Sequence, residues 1–299
     1  MRDVDLLNAR FGIPDRVQFF RSSGDFPMVR IVSPLSSATI SIYGAQVLSF
    51  IPIGQEDLLW MSPKSFYEAE KPIRGGILVC WPWFGAHPSD HSKPSHGFSR
   101  ILFWHLRSVQ ALSSDETRIR MTLSEYDTTP DLFGFRFNAE IIFTIGKLLT
   151  VELRIENIDE REFQFTEALH SYFNISDVRH ISLDGLDRTT YIDAVDQFSR
   201  KVQYGPIRFD EVVNRVYLHT SSDCLLRDEL FSRVIHVQKS GSFSTVVWNP
   251  GELLSEIVAD MEPDGYRRMV CIETANAAEN GVTLAPLQVH TMTTTIGVE

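Results

Sequence analysis

Apolar and charged side chains alternate with a period of two along much of this chain, and no other feature restricts its possible folds as strongly. Arg118-Ile-Arg-Met-Thr-Leu123 and Thr150-Val-Glu-Leu-Arg-Ile-Glu156 each place apolar residues on one face of an extended segment and charges on the other. Segments 28–32, 38–43, 232–238 and 245–248 read as further strands, punctuated by turn residues such as Gly44, Gly134, Gly146, Asp184-Gly185 and Gly241. Helical periodicity is scarce, and short helices are predicted only over 3–10, 64–69 and 253–260. Many hairpin-joined strands with few short helices predict an all-β fold, a large antiparallel sandwich or barrel. The polar run Ser113-Ser-Asp-Glu-Thr117 suits a hairpin tip as well as a boundary, and residues 1–299 are read as one domain.

Composition narrows the partners. With 43% hydrophobic residues the chain can bury a sizeable core, and a net charge of −11 argues against nucleic acid, which demands a basic footprint. An anionic small molecule stays possible, because a pocket can be locally positive on an acidic protein. The three cysteines, Cys80, Cys224 and Cys271, form no CxxC pair and are odd in number, which fits buried apolar residues in a reduced interior. A nucleophilic thiol at Cys80 or Cys271 is the alternative. The start, Met1-Arg-Asp-Val-Asp, shows no apolar signal core, and no run approaches the ~18 apolar residues of a spanning helix. The expectation is a soluble, cytoplasmic protein without membrane contact.

Residues 72–100 carry the densest chemistry. Arg74 and Arg100 offer forks that suit phosphate oxygens, Trp81, Trp83 and Phe84 offer faces that suit a sugar ring, and glycines let backbone approach a ligand. A stiff surface loop tucked under aromatics accounts for the same residues. In Phe165-Thr-Glu-Ala-Leu-His-Ser-Tyr-Phe-Asn174, alternation puts Ala168, His170, Tyr172 and Asn174 on one face, which either lines a pocket or meets solvent. Glu273 sits in Arg268-Met-Val-Cys-Ile-Glu-Thr-Ala275, an apolar run that reads as a buried strand. A carboxylate there is either a structural ion-pair member or a catalytic group of tuned pKa. His87, His91 and His96 invite a metal reading, yet their spacing matches no helix-borne zinc motif, and no metal is expected. Trp248-Asn-Pro-Gly251 and Asp260-Met-Glu-Pro-Asp-Gly265 read as turns. There is no P-loop, GxGxxG, G-x-S-x-G or HExxH.

These motifs, taken together, resemble the hexose-6-phosphate mutarotases (glucose-6-phosphate 1-epimerases) of the aldose 1-epimerase superfamily. The resemblance rests on Ile73-Arg-Gly-Gly-Ile, Trp81-Pro-Trp-Phe-Gly85, His96-Gly-Phe-Ser-Arg100, Ala168-Leu-His-Ser-Tyr-Phe-Asn174, Trp248-Asn-Pro-Gly, Ala259-Asp-Met and Val270-Cys-Ile-Glu-Thr-Ala275. It runs in order over roughly residues 40–290. It implies a β-sandwich of the galactose mutarotase-like type and the interconversion of α and β anomers of a hexose 6-phosphate without a cofactor. By position, Glu273 would be the general base and His170 the general acid, His96 would hold the substrate hydroxyls or polarise the anomeric region, and Arg74 and Arg100 would bind the phosphate. Ser95 would touch substrate where some relatives have a larger polar residue. One departure concerns sugar contacts: in Glu211-Val-Val-Asn-Arg-Val-Tyr217, Asn214 stands where relatives usually carry Asp, and an amide keeps an acceptor oxygen but loses the charge. The implied partner is a small sugar phosphate, met by a monomer.

Such a reaction needs a base for the C1 hydroxyl proton and an acid for the ring oxygen. The sequence reading places the two groups on opposite sides of the ring, leaves Glu273 ionised near neutrality, and has its charge raise the His170 pKa. Two other function classes remain on the sequence alone. One is a sugar-phosphate-binding or sensing module without catalysis. The other is a glycoside hydrolase or lyase, which needs a second buried acid, Glu167 or Asp260.

Overall fold

The computed structural model describes residues 3–22, 24–129 and 131–299. Asp3 caps the first helix, α1 (Val4–Phe11), accepting hydrogen bonds from the amides of Asp5 and Leu6 at 2.9 and 3.2 Å. The chain then lays down β1 (Val17–Arg21), β2 (Pro27–Val32), β3 (Ser36–Ser41), β4 (Gln46–Pro52) and β5 (Ile77–Cys80), each antiparallel to the one before. It crosses to a second sheet for β6 (His105–Ala111), β7 (Thr117–Ser124), β8 (Phe137–Ile145) and β9 (Leu149–Asn157). The polar run at 113–117 is the tip of the β6–β7 hairpin.

A short β10 (Phe163–Phe165) precedes β11 (Glu167–Asn174), which returns to the first sheet beside β5. The rest alternates between the sheets through β12 (Ile181–Asp184), β13 (Thr190–Asp193), β14 (Ser199–Val202), β15 (Val213–Tyr217), β16 (Cys224–Asp228) and β17 (Arg233–Ser240). Next come β18 (Ser244–Asn249), helix α2 (Gly251–Ile257), β19 (Met269–Asn276), β20 (Val282–Leu284) and β21 (Val289–Val298). Among the described residues the larger sheet has eleven strands in the order β1-β2-β3-β4-β5-β11-β19-β18-β15-β13-β14. The smaller has eight in the order β12-β16-β17-β21-β9-β8-β7-β6. Phe50, Val79, Leu169 and Ile272 of the larger sheet share one buried cluster with Ile141, Phe143, Leu153 and Met292 of the smaller, the core of a β-sandwich.

The strands differ in a way that positions function. In β7, β8 and β9 buried residues alternate with partly exposed ones, as the sequence pattern demands of a sheet with one wet face. In β5 and β19 every residue is buried, and in β11 all but the last. These strands lie mid-sheet, with the core on one face and the segments around 81–100 and 258–268 gathered over the other. Any polar side chain on them must therefore be accounted for.

Two helix expectations are corrected. Residues 64–69 form turns, because the Ser62 hydroxyl takes the Lys64 amide and the Ser65 hydroxyl donates to the Arg74 carbonyl, closing the backbone locally. The helix expected over 253–260 is α2, which starts earlier, where the Asn249 side chain accepts the Gly251 amide, and stops at Ile257. No helix among the described residues is long and apolar enough to cross a membrane.

Candidate active site

The register of β11 and β19 brings the decisive residues together. The pairs Leu169↔Thr274 and Tyr172↔Cys271 set His170 opposite Glu273 on the sheet face turned away from the core. His170 Nε2 stands 3.3 Å from Glu273 Oε1, and the two residues are 7% and 1% exposed. Around them the face is floored by Leu78, Cys80, Ala168, Val246 and Ala275, all buried. The solvated-face reading of His170 is thus excluded. The expected placement on opposite sides of a ring is corrected: His170 and Glu273 stand side by side, too close to hold a sugar between them.

Tyr172, two residues on, stacks its ring on His170 with centroids 4.7 Å apart and planes at 8°. Its hydroxyl accepts from Arg74 Nη1 at 3.0 Å. Arg74 also donates from Nε to Asp260 Oδ1 at 3.1 Å, with Nη2 of the same guanidinium 3.0 Å from that oxygen. The glycines after Arg74 are steric necessities. At Gly76, φ is +67° and a Cβ would meet the Val47 carbonyl oxygen at 2.0 Å.

His96 reaches the site from a loop. Its ring lies 5.8 Å from that of His170 and 4.7 Å from that of Phe84. The loop is held by left-handed backbone at His96 (φ 59°) and Gly97 (φ 74°), and at Gly97 a Cβ would strike the Trp81 carbonyl oxygen at 2.0 Å. His96 Nδ1 accepts the Gly85 amide at 3.3 Å, which assigns the ring proton to Nε2. Arg100 donates from Nη2 to the Ser95 carbonyl at 2.7 Å, while its Nε is buried with no partner. The Ser95 hydroxyl turns to the Gly85 carbonyl at 3.3 Å, so Ser95 serves the site through its backbone. Asn214 lies on β15 across from Trp248, whose ring is 6.3 Å from that of His170.

The electrostatics reverse the sequence expectation. Burial pushes the Glu273 carboxyl well above its ordinary range, against the pull of Arg100. Burial, then the fields of His96, Arg100 and Arg74, hold His170 well below its ordinary value. His96 falls to about 3 through burial and the same two arginines. Burial therefore favours the neutral form of both groups, aided at His170 by the two arginines and opposed at Glu273 by Arg100. Their proton inventory is unaffected. A neutral imidazole with a carboxylic acid and an imidazolium with a carboxylate are tautomers, so the pair holds one transferable proton. Glu273 Oε2 and His170 Nδ1 are buried without protein partners, which leaves two polar atoms of the pair able to meet a further group.

Other expectations find their place. His87 Nδ1 accepts the amides of Ser89 and Asp90, and among the described residues His87, His91 and His96 form no cluster close enough to share an ion. The group that does converge, His170, Cys271 and Glu273, has its ligand atoms within 4.8 Å of one another but lies in the field of the arginines. All three cysteines are buried and unbridged, and burial raises Cys80 and Cys224 to about 12 and Cys271 well above its ordinary value, so none is a ready nucleophile. The second acid of a hydrolase is absent from its two candidates. Glu167 points to the opposite sheet face, and Asp260 is engaged by Arg74. Sequence reasoning missed the Tyr172 and Asp260 contacts with Arg74, which no local pattern announces.

The chain is similar to known proteins in sequence and in fold. The sequence profile of the family described as aldose 1-epimerase matches residues 27–297. A protein of Escherichia coli K12 named "Putative glucose-6-phosphate 1-epimerase" is 34% identical over 261 residues, covering 87% of this chain and 86% of its own. A Salmonella typhimurium protein of the same name is 34% identical over 281 residues, covering 91% and 92%. The crystal structure of a "putative mutarotase" from Salmonella typhimurium superposes with a TM-score of 0.89 at 30% identity, covering 96% of this chain and 95% of that one.

Proposed function

The chain belongs to the aldose 1-epimerase family, and from that premise we propose that it interconverts the α and β anomers of a hexose 6-phosphate, glucose 6-phosphate first among them. The observation that carries this reading is the buried His170–Glu273 pair within the field of Arg74 and Arg100. The pair supplies acid and base; the arginines suit a phosphate group of about −1.5 to −2 charge.

Anomerisation opens the ring at C1–O5, turns C1 about C1–C2, and closes on the other face. The hydroxyl and the ring oxygen are both bonded to C1, so adjacent groups reach both. In opening, Glu273 as carboxylate takes the hydroxyl proton while His170 as imidazolium protonates the ring oxygen. The products are a carboxylic acid and a neutral imidazole. Closing runs these transfers backwards, with His170 accepting and Glu273 donating. One proton thus shuttles between two tautomers of the pair, and the buried setting raises the proton affinity of Glu273 while lowering that of His170.

The arginine charges disfavour an imidazolium in the empty site. A bound phosphate offsets those charges and shifts the proton towards His170, so substrate recognition readies the acid. His96, neutral with its Nε2–H free to donate, is suited to the sugar hydroxyls or anomeric oxygen, and Asn214 to a hydroxyl further along the face. Magnetisation-exchange NMR on glucose 6-phosphate and glucose tests the reading. Arg100→Ala is expected to raise KM for the phosphorylated sugar by about tenfold and to leave the free sugar nearly unchanged. An equal effect on both sugars rejects the phosphate assignment, and binding without accelerated exchange marks a sensor instead of an enzyme.

A further inference from the structure

The two site arginines are built differently. Arg100 has a carbonyl partner and one orphaned buried nitrogen. Arg74 is gripped: Asp260 takes its Nε and stands 3.0 Å from Nη2, and the Tyr172 hydroxyl takes Nη1. Burial alone would lower the Arg74 pKa, and Tyr172 and Asp260 more than reverse that, so the guanidinium stays charged. A guanidinium has five N–H donors. With one edge on Asp260 and one Nη1 proton on Tyr172, one proton remains on each terminal nitrogen. These two are the donors left for an oxyanion, which approaches at the end-on edge, the side of the guanidinium away from Nε.

Asp260 is itself fixed, being 6% exposed and followed by Met261, which packs in a buried cluster with Trp60, Tyr172, Met269 and Cys271. We propose that Asp260 is a positioning residue for phosphate recognition, locking Arg74 so that its end-on edge faces the substrate phosphate. The proposal rests on the sugar-phosphate reading above and deepens it. Arg74 also touches Tyr172, whose ring lies on His170, so a fixed Arg74 sets the phosphate at a constant offset from the acid.

The same lock acts on binding before chemistry begins, so its removal is expected to appear in KM. In NMR exchange, Asp260→Ala should raise KM for glucose 6-phosphate about tenfold, keep kcat within about threefold, and raise KM for free glucose by less than about threefold. Asp260→Asn keeps an acceptor oxygen for Nε and should recover most of the loss, with KM about threefold above the parent. An unchanged KM in both variants, or an equal rise for both sugars, overturns the proposal. So does a lowered KM, which would make Asp260 only a counter-charge. Should Asp260→Ala fail to fold, the Asn variant decides alone, and a KM equal to the parent's overturns the lock. If the parent exchanges no sugar phosphate, the functional reading fails separately. Calorimetric titration with inorganic phosphate then tests the lock: affinity at least tenfold weaker in Asp260→Ala upholds it, and equal affinity or no binding by the parent overturns it.

Discussion

Two histidine–carboxylate pairs flank the central strands β11 and β19, one on each side of the sheet, and only the outer pair is buried at both members. On the outer face His170 meets Glu273 at 3.3 Å. On the inner face Glu167 Oε1 meets His290 Nε2 of β21 at 2.8 Å and accepts from Asn276 Nδ2 at 2.9 Å. The chemical groups are alike, and the surroundings are not. Asn276 ties the inner pair to the Gly241 carbonyl at 2.8 Å and lies 3.8 Å from Met292 Sδ, spanning the two sheets. The outer pair has two arginines, a third histidine and a stacked tyrosine about it. What distinguishes the two pairs is thus the charge that surrounds them, more than the groups they contain.

The sharpest way to break this comparison is to neutralise each acid in turn. Glu273→Gln is isosteric with the protonated acid, so stability should stay within about 1 kcal/mol while enzyme-dependent anomer exchange falls by roughly 10²-fold or more. A loss under tenfold would remove Glu273 from the proton shuttle. Glu167→Ala should do the reverse. It strands Asn276 and His290, costs about 2 kcal/mol, and lowers Tm by roughly 4–8 °C in calorimetry, with kcat near the parent's. If both variants lose activity in proportion to stability, the two pairs do not differ in kind.

The fold was legible because alternation survives wherever one sheet face is wet, as in β7 and β9. The site was partly legible for the opposite reason: Glu273 interrupts an apolar run, and a buried carboxylate demands an explanation. What the residues could not reveal is register. Nothing local in Ala168-Leu-His or Ile272-Glu-Thr says that His170 and Glu273 face each other, nor that Asp260 meets Arg74 across 186 positions. The pKa directions were misjudged for the same cause. A lone carboxylate neighbour raises a histidine, but burial beside two arginines lowers it, and burial is a tertiary property. The helix expected at 64–69 failed because the Ser62 and Ser65 hydroxyls bond main-chain groups nearby.

A subtler contrast lies in protonation. In the free protein His170 and His96 should keep neutral ring signals at pH 6, His96 down to about pH 3, by imidazole carbon and nitrogen NMR shifts. Saturating sugar phosphate should move His170 towards the imidazolium. An unmoved His170 would deny that the phosphate governs the outer pair. The smallest expected effect is at the rim. Asn214→Asp puts a carboxylate at this position and should lower KM by only about threefold, since one charge-assisted hydrogen bond replaces a neutral one. A larger change in kcat than in KM would assign Asn214 to the chemistry.

Seating His170 and Glu273 on β11 and β19 also bears on how the site responds to unfolding. Edge strands such as β1 and β14 can fray without disturbing residues in the middle of the larger sheet. The main-chain amides of these two strands should therefore be among the slowest to take up deuterium. Heat should extinguish turnover only when the centre of the sheet melts, with no earlier phase of folded but silent molecules.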